Sequence, residues 1–162
     1  MLDFTALDVK KIELNKTMIN FGELVRDRVQ SCRKIYLRDK KLDFEMQIED
    51  NIFISVDPKY MRQTVDNLVI NAINFSTKGV IRISVSRRRS AVEFMILDNG
   101  IGIPKEDLYD IFTPFKMGSN SESKAEGRGV GLALCKSAVE AHGGSISVES
   151  KNGVGAQFRF VL

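Results

Sequence analysis

Residues 98–103 read Asp98-Asn99-Gly100-Ile101-Gly102-Ile103, and they follow directly on the apolar run Val92-Glu93-Phe94-Met95-Ile96-Leu97. A buried strand that delivers one carboxylate and then a glycine-rich turn offers a single acceptor to a flat heterocycle. Glycines let backbone approach such a ring with no Cβ in the way. The exocyclic amino group of adenine is a donor, and Asp98 stands where it could accept from it. Read alone, Asp-Asn-Gly is equally an ordinary turn, so the rest of the chain has to decide between the two.

Outward from that hexapeptide, the chain has 162 residues, 43% hydrophobic and 28% charged. That is the make-up of one soluble globular domain with a proper core. A net charge of +3 fits an anionic ligand and does not call for nucleic acid, so no nucleic-acid partner is expected. The run Arg87-Arg88-Arg89-Ser90 lies between two strand-like segments and reads as a solvated hairpin turn. No apolar stretch approaches the ~20 residues that span a bilayer, and the start lacks a signal peptide. The expected location is cytoplasmic, with a parent protein free to be anchored in the inner membrane.

Cys32 and Cys135 fall inside helical patterns without metal-ligand spacing and read as reduced core residues. The single histidine, His142, precedes Gly143-Gly144 and reads as structural, facing the last carbonyls of a helix. One histidine and no Cys–His pair exclude hydrolysis at a protein-held zinc.

The periodicity predicts a helix over 3–14 that began upstream, a short strand over 16–19 and a helix from Phe21 to about Arg38. Strands are expected over Leu42–Ile48 and Ile52–Val56. Asp57-Pro58 then opens a helix as N-cap and first-turn proline. It runs to about Phe75 on an apolar stripe of Met61, Val65, Leu68, Ala72 and Phe75. Asn67, Asn71 and Asn74 form a second seam about a third of a turn away. Asparagine is a poor residue for a helix interior, so this row faces either a polar partner or water. A hairpin of Gly79–Arg88 and Ala91–Leu97 follows, then the Asp98 turn and a helix from Pro104 to about Ile111. Residues 116–128 are small and polar, about thirteen in all, a length that marks a functional lid or disorder. A helix from Gly129 to His142 and strands near Ser145–Glu149 and Ala156–Val161 complete the chain.

The lid ends in Gly127-Arg128-Gly129-Val130-Gly131-Leu132, which leads straight into a helix. Free N–H groups and the dipole at a helix N-terminus make an anion site, and glycines admit phosphate closely. The stretch lacks the Gly-Lys-Ser/Thr of a P-loop, and its Gly-x-Gly-x-Gly spacing does not fit the dinucleotide fingerprint.

Four elements in fixed order remain: an asparagine-bearing helix, a strand ending in Asp-x-Gly-x-Gly, an aromatic pair, and a glycine-rich loop opening a helix. Here the chain resembles the sensor histidine kinases. Asn67 to Ser76 resembles their N box, Asp98 to Ile103 the G1 box, and Ile111-Phe112-Thr113-Pro114-Phe115 the F box. Gly127 to Leu134 resembles the G2 box, and Gly153-Val154-Gly155-Ala156-Gln157-Phe158 the last glycine motif. The resemblance covers nearly the whole chain.

It implies the Bergerat ATP-binding fold, an α/β two-layer sandwich with a mixed β-sheet packed on helices, over residues 15–162. Residues 1–14 would be the tail of the second helix of an upstream dimerisation and phosphoacceptor hairpin. The implied cofactors are ATP and Mg²⁺. Asn71 would hold the metal, within an adenosine and phosphate cradle that includes Asn67 and Asn74. Asp98 would bond the adenine amino group, with Gly100, Gly102 and Ile103 beside it. Phe112 and Phe115 would support the base of the lid. Gly127, Gly129, Val130, Gly131 and Leu132 would present backbone to phosphate; Lys116, Lys124 and Arg128 would be the lid cations able to reach the γ-phosphate, with Asn71, Lys116 and Arg128 the implied catalytic residues.

The implied reaction is transfer of the γ-phosphoryl group to a histidine outside this chain, which depends mainly on alignment and charge neutralisation. Implied partners are that hairpin and a response regulator, with the fragment monomeric and the parent a homodimer. Two positions depart from the family: Asn74 stands where a lysine is common, and Ala156 where Thr or Ser is usual. The alternatives are a nucleotide-binding pseudokinase or docking module, and a serine-kinase anti-sigma factor of the same fold.

Overall fold

The computed structural model describes residues 12–115 and 129–162. Its elements run β1 (Thr17–Asn20), α1 (Phe21–Tyr36), β2 (Lys41–Ile48), β3 (Phe53–Val56), α2 (Pro58–Phe75), β4 (Lys78–Arg88), β5 (Ala91–Leu97), α3 (Lys105–Leu108), α4 (Gly131–Ala141), β6 (Ser145–Lys151) and β7 (Gly155–Val161). Five strands form one sheet in the order β2-β4-β5-β7-β6. Only β2 and β4 pair in parallel, and the crossover such a pair requires carries α2. The other pairs are antiparallel, so the sheet is mixed. β1 and β3 make a separate two-stranded ribbon.

Helices α1, α2 and α4 cover one face of this sheet. The period-2 pattern of β5 turns Val92, Phe94 and Ile96 toward them, each essentially without solvent exposure. Phe94 stacks on its register partner Phe160 at 4.8 Å between ring centroids, and Phe21 of α1 meets Phe160 edge-on. Met61, Val65, Leu68 and Ile73 of α2 fill the middle of the same core. On the opposite face Glu93 is buried all the same, held by Arg159 at 2.6 Å. Both cysteines are free and buried, as read from the pattern; burial pushes each thiol up to about 12.

The start of α2 follows its sequence signal: the Asp57 side chain accepts from Lys59 N at 2.9 Å, with Pro58 in the first turn. Of the run 87–90, read as a hairpin turn, Arg87 and Arg88 are the paired end of β4, and Arg89 (φ 58°) with Ser90 makes the turn. His142 faces the carbonyl of Ala138 with Nδ1, at 2.6 Å. Its Nε2 in addition accepts the Asp57 N–H at 2.9 Å, which joins the end of α4 to the start of α2.

Beyond shifts of one or two residues at other ends, three elements show how the structure departs from the sequence reading. α1 stops at Tyr36, with Arg38 in a left-handed conformation (φ 49°) just beyond it, which ends a right-handed helix. The helix expected from Pro104 to Ile111 is only one turn, Lys105–Leu108, without a side-chain cap. From there the chain goes into tight turns, closed by Asp110 N to Asp107 O and Thr113 N to Asp110 O. Of the lead-in helix expected over 3–14, only residues 12–14 are described, and they carry no regular structure.

Candidate functional site

Strand β5 ends at Leu97 and delivers Asp98 to the edge of the helical layer, 6% exposed. Its backbone N–H donates to Ala156 O (3.0 Å). Its Oδ1 accepts from Gly100 N (2.8 Å) and Ala156 N (3.3 Å). Among the described residues Oδ2 has no donor, so one lone carboxylate oxygen remains for an outside N–H. Burial raises the Asp98 carboxyl above its ordinary value, and the two N–H groups counter only part of that.

The glycines of the turn serve a tighter purpose than leaving room for a ligand. A Cβ on Gly100 would lie 2.4 Å from Phe75 O, and one on Gly102 would lie 2.2 Å from Lys151 O. Both spaces are filled by the protein's own backbone. The turn is laced to its surroundings by Ile101 N to Phe75 O (3.2 Å) and Gly153 N to Ile101 O (2.6 Å). Ser150 completes the lacing: its Oγ accepts from Ile103 N (2.8 Å) and donates to Gly155 O (2.7 Å). Ser150 escaped the sequence reading, which ended β6 at Glu149, and no local pattern marks a serine for a partner 47 residues away.

The asparagine row of α2 divides. Asn67 and Asn71 are half-buried, whereas Asn74 is exposed. Asn67 Nδ2 donates to Gly131 O at 3.2 Å, bringing α2 to the start of α4. Among the described residues the Asn71 side chain makes no hydrogen bond, so its amide oxygen is available. α4 begins behind Val130 with no side-chain cap, which leaves its first backbone N–H groups and the positive end of its dipole open to an anion. Val130 and Leu132 are half-buried there. Phe115 N donates to Gly129 O at 2.9 Å, and Phe112 packs edge-on against Phe158. Phe115 itself is 63% exposed. Lys116, Lys124, Gly127 and Arg128 lie outside the described residues.

Among the described residues no cluster of His, Cys, Asp or Glu could chelate a metal. The donor set fits Mg²⁺ in a different way: this ion commonly takes only one or two protein oxygens and completes its octahedron with phosphate and water. A half-buried, uncommitted Asn71 oxygen suits that role. No helix among the described residues is long and apolar enough to cross a membrane.

The Asp98 turn, packed on α2 at Phe75 O, and the uncapped start of α4, held to α2 by Asn67, are thus joined along one asparagine-bearing helix. The family model described as histidine kinase-, DNA gyrase B- and HSP90-like ATPase matches residues 56–162, and the chain belongs to that family. Within it the chain is a catalytic domain of the sensor histidine kinase type. It is 38% identical over 162 residues to the sensor protein KdpD of Clostridium acetobutylicum, covering 99% of this chain and 18% of that protein. Among solved structures, the catalytic domain of the histidine kinase ThkA matches at TM-score 0.76 and 27% identity, over 93% of this chain and 95% of that one. Full-length ShkA in complex with AMPPNP matches at TM-score 0.84 and 25% identity, over 98% of this chain and 33% of that one. The chain therefore spans about a fifth of the curated relative KdpD.

Proposed function

We propose that this chain binds Mg²⁺-ATP between α2, the Asp98 turn and the start of α4, and presents the γ-phosphoryl group to a histidine on a separate dimerisation hairpin. The observation that carries this reading is the state of Asp98. One carboxylate oxygen is fixed by two backbone N–H groups and the other is left for the adenine amino group. Asn71 is the residue to hold Mg²⁺, which would neutralise phosphate charge and link the phosphates to α2. Asn67 keeps the start of α4 against α2, and the backbone of Gly129, Val130, Gly131 and Leu132 faces the phosphates. Gly127 would add to that backbone, and Lys116, Lys124 and Arg128 remain the candidates for contact with the γ-phosphate. Asn74, exposed and uncharged, supplies less neutralisation than the lysine common there.

In the transfer, a neutral imidazole nitrogen of the acceptor would attack phosphorus with its lone pair. The bond to the β,γ-bridging oxygen would break, ADP leaving with that electron pair, and the imidazole would give up its other N–H proton to a neighbouring carboxylate on the hairpin. The domain's contribution is alignment and electrostatics. Residues 1–14 would lead in from that hairpin, the parent would be a homodimer, and a response regulator the next acceptor.

The test is calorimetric titration of the chain with Mg²⁺-AMPPNP, then mixing with the parent's hairpin and γ-labelled ATP. Binding followed by label on the hairpin histidine supports the reading. Binding without transfer points to a pseudokinase, and label on a serine of another protein points to the anti-sigma class.

A further inference from the structure

α2 ends without help from its own sequence. Its last turn holds no basic residue, and its C-cap, Ser76, is extended at φ −110°, ψ 144°. The carbonyls there nonetheless have partners from elsewhere. Lys40, in the connection between α1 and β2, points its ammonium at three of them: Ile73 O at 2.5 Å, Asn74 O at 3.1 Å and Ser76 O at 3.0 Å. The carbonyl between these, Phe75 O, accepts from Ile101 N of the Asp98 turn instead. It is also the atom against which Gly100 packs.

From this division we infer that Lys40 is a positioning residue for nucleotide binding: it holds the end of α2 so that Phe75 O meets Ile101 and the Asp98 turn keeps its shape. The inference rests on the nucleotide reading above. The chemistry suits a lysine. An ammonium has three donors and no acceptor, so one Nζ can satisfy three carbonyls, and its charge opposes the negative end of the helix dipole. Lys40 is half-buried, and burial holds its pKa below the ordinary lysine value. Removing it would leave three carbonyls to fray toward water and release the constraint on Phe75 O. No charge of Lys40 need touch the ligand for this to matter.

The experiment compares the wild-type chain with Lys40→Met, which keeps the apolar stem and loses the ammonium, and with Lys40→Arg, which keeps the charge. Two quantities are read: the Kd for Mg²⁺-AMPPNP, and amide hydrogen exchange at Ile101 and Phe94 without nucleotide. Lys40→Met should weaken binding about 10-fold, the scale of a lost hydrogen bond to a charged group, and should speed exchange at Ile101 while leaving Phe94 unchanged. Lys40→Arg should restore most of both. Wild-type affinity should fall as pH rises through the lowered Lys40 titration, and in Lys40→Arg that fall should vanish. Unchanged binding with unchanged Ile101 exchange overturns the inference, as does equal loss of protection at Ile101 and Phe94, which would mean a general stabiliser. If wild type binds no AMPPNP, the nucleotide reading fails, and the Ile101 exchange alone decides whether Lys40 holds the turn.

Discussion

Asp98 and Ala156 hold each other through a reciprocal pair: Asp98 N donates to Ala156 O, and Ala156 N donates to Asp98 Oδ1. The contact uses the backbone of Ala156 alone. The departure from the family at that position therefore leaves the contacts of Oδ1 intact, and Oδ2 has no donor among the described residues.

Asp98→Asn should separate binding from folding. An asparagine keeps Oδ1 as acceptor for Gly100 and Ala156 but puts an N–H₂ where Oδ2 was, facing the adenine donor. Affinity for AMPPNP should drop about 10- to 100-fold. Because burial raises the Asp98 carboxyl, its contribution to stability is fully present below the ordinary carboxylate value of about 4 and lost as pH rises through the folded value. At pH 7 the variant should thus be at least as stable as wild type, each kcal/mol relieved adding about 2–4 °C to Tm. Calorimetry and thermal unfolding on one preparation check both halves.

Nucleotide affinity has the opposite pH sense. The acceptor must be ionised, so wild-type binding should weaken on acidification, beginning above the usual carboxylate range. Asp98→Asn should lack that component, leaving only the titration of the phosphates, and a Kd series across pH compares the two.

Gly100→Ala places a methyl 2.4 Å from Phe75 O, a backbone atom with no rotamer to yield. The substitution should cost about 1–3 kcal/mol, the scale of overpacking. It should also break the Ile101–Phe75 bond and weaken nucleotide binding. Urea unfolding with titration in parallel is the measurement.

Asn71→Ala should remove the magnesium dependence of AMPPNP binding while sparing the weaker metal-free binding. Comparing titrations with Mg²⁺ and with EDTA tests this; a variant that still responds to Mg²⁺ like wild type would exclude Asn71 as the ligand.

Asp57 joins three segments: its carboxylate accepts from Asn15 N and from Lys59 N at the start of α2, and its N–H donates to His142 Nε2 at the end of α4. Burial by itself would raise its pKa, yet the N–H groups of Asn15, Lys59 and Tyr60, with His142, bring it below the ordinary value. Its contribution is therefore present above about pH 4 and lost as pH falls through the lowered folded value. Asp57→Ala should cost about 1 kcal/mol at pH 7, the worth of an N-cap, and progressively less in acid, as read by urea unfolding at both extremes.

Much of this was legible in the chain. The Asp57-Pro58 signal located α2, alternation located β4 and β5, and five motifs in order (one of asparagines, three of glycines and one of aromatics) named the family. What stayed hidden was non-local. Nothing around Lys40 says that it caps a helix 33 residues on, and nothing around Ser150 says that it fixes Ile103. Such bonds depend on which loops the sheet order brings together, and local periodicity does not encode that. α3 is shorter than expected, and no side chain caps its start. The even row of three asparagines concealed that the last, near the helix end, turns to water.

The joint between α4 and α2 has a bearing on how any phosphohistidine assay is read. Both ring nitrogens of His142, the only histidine in the chain, are spoken for, one toward Ala138 O and the other by Asp57 N–H. Neither lone pair nor N–H is left over for phosphorus. In a mixture with the proposed acceptor hairpin, acid-labile label that survives base should therefore sit on the other chain, and this domain adds no background to the count.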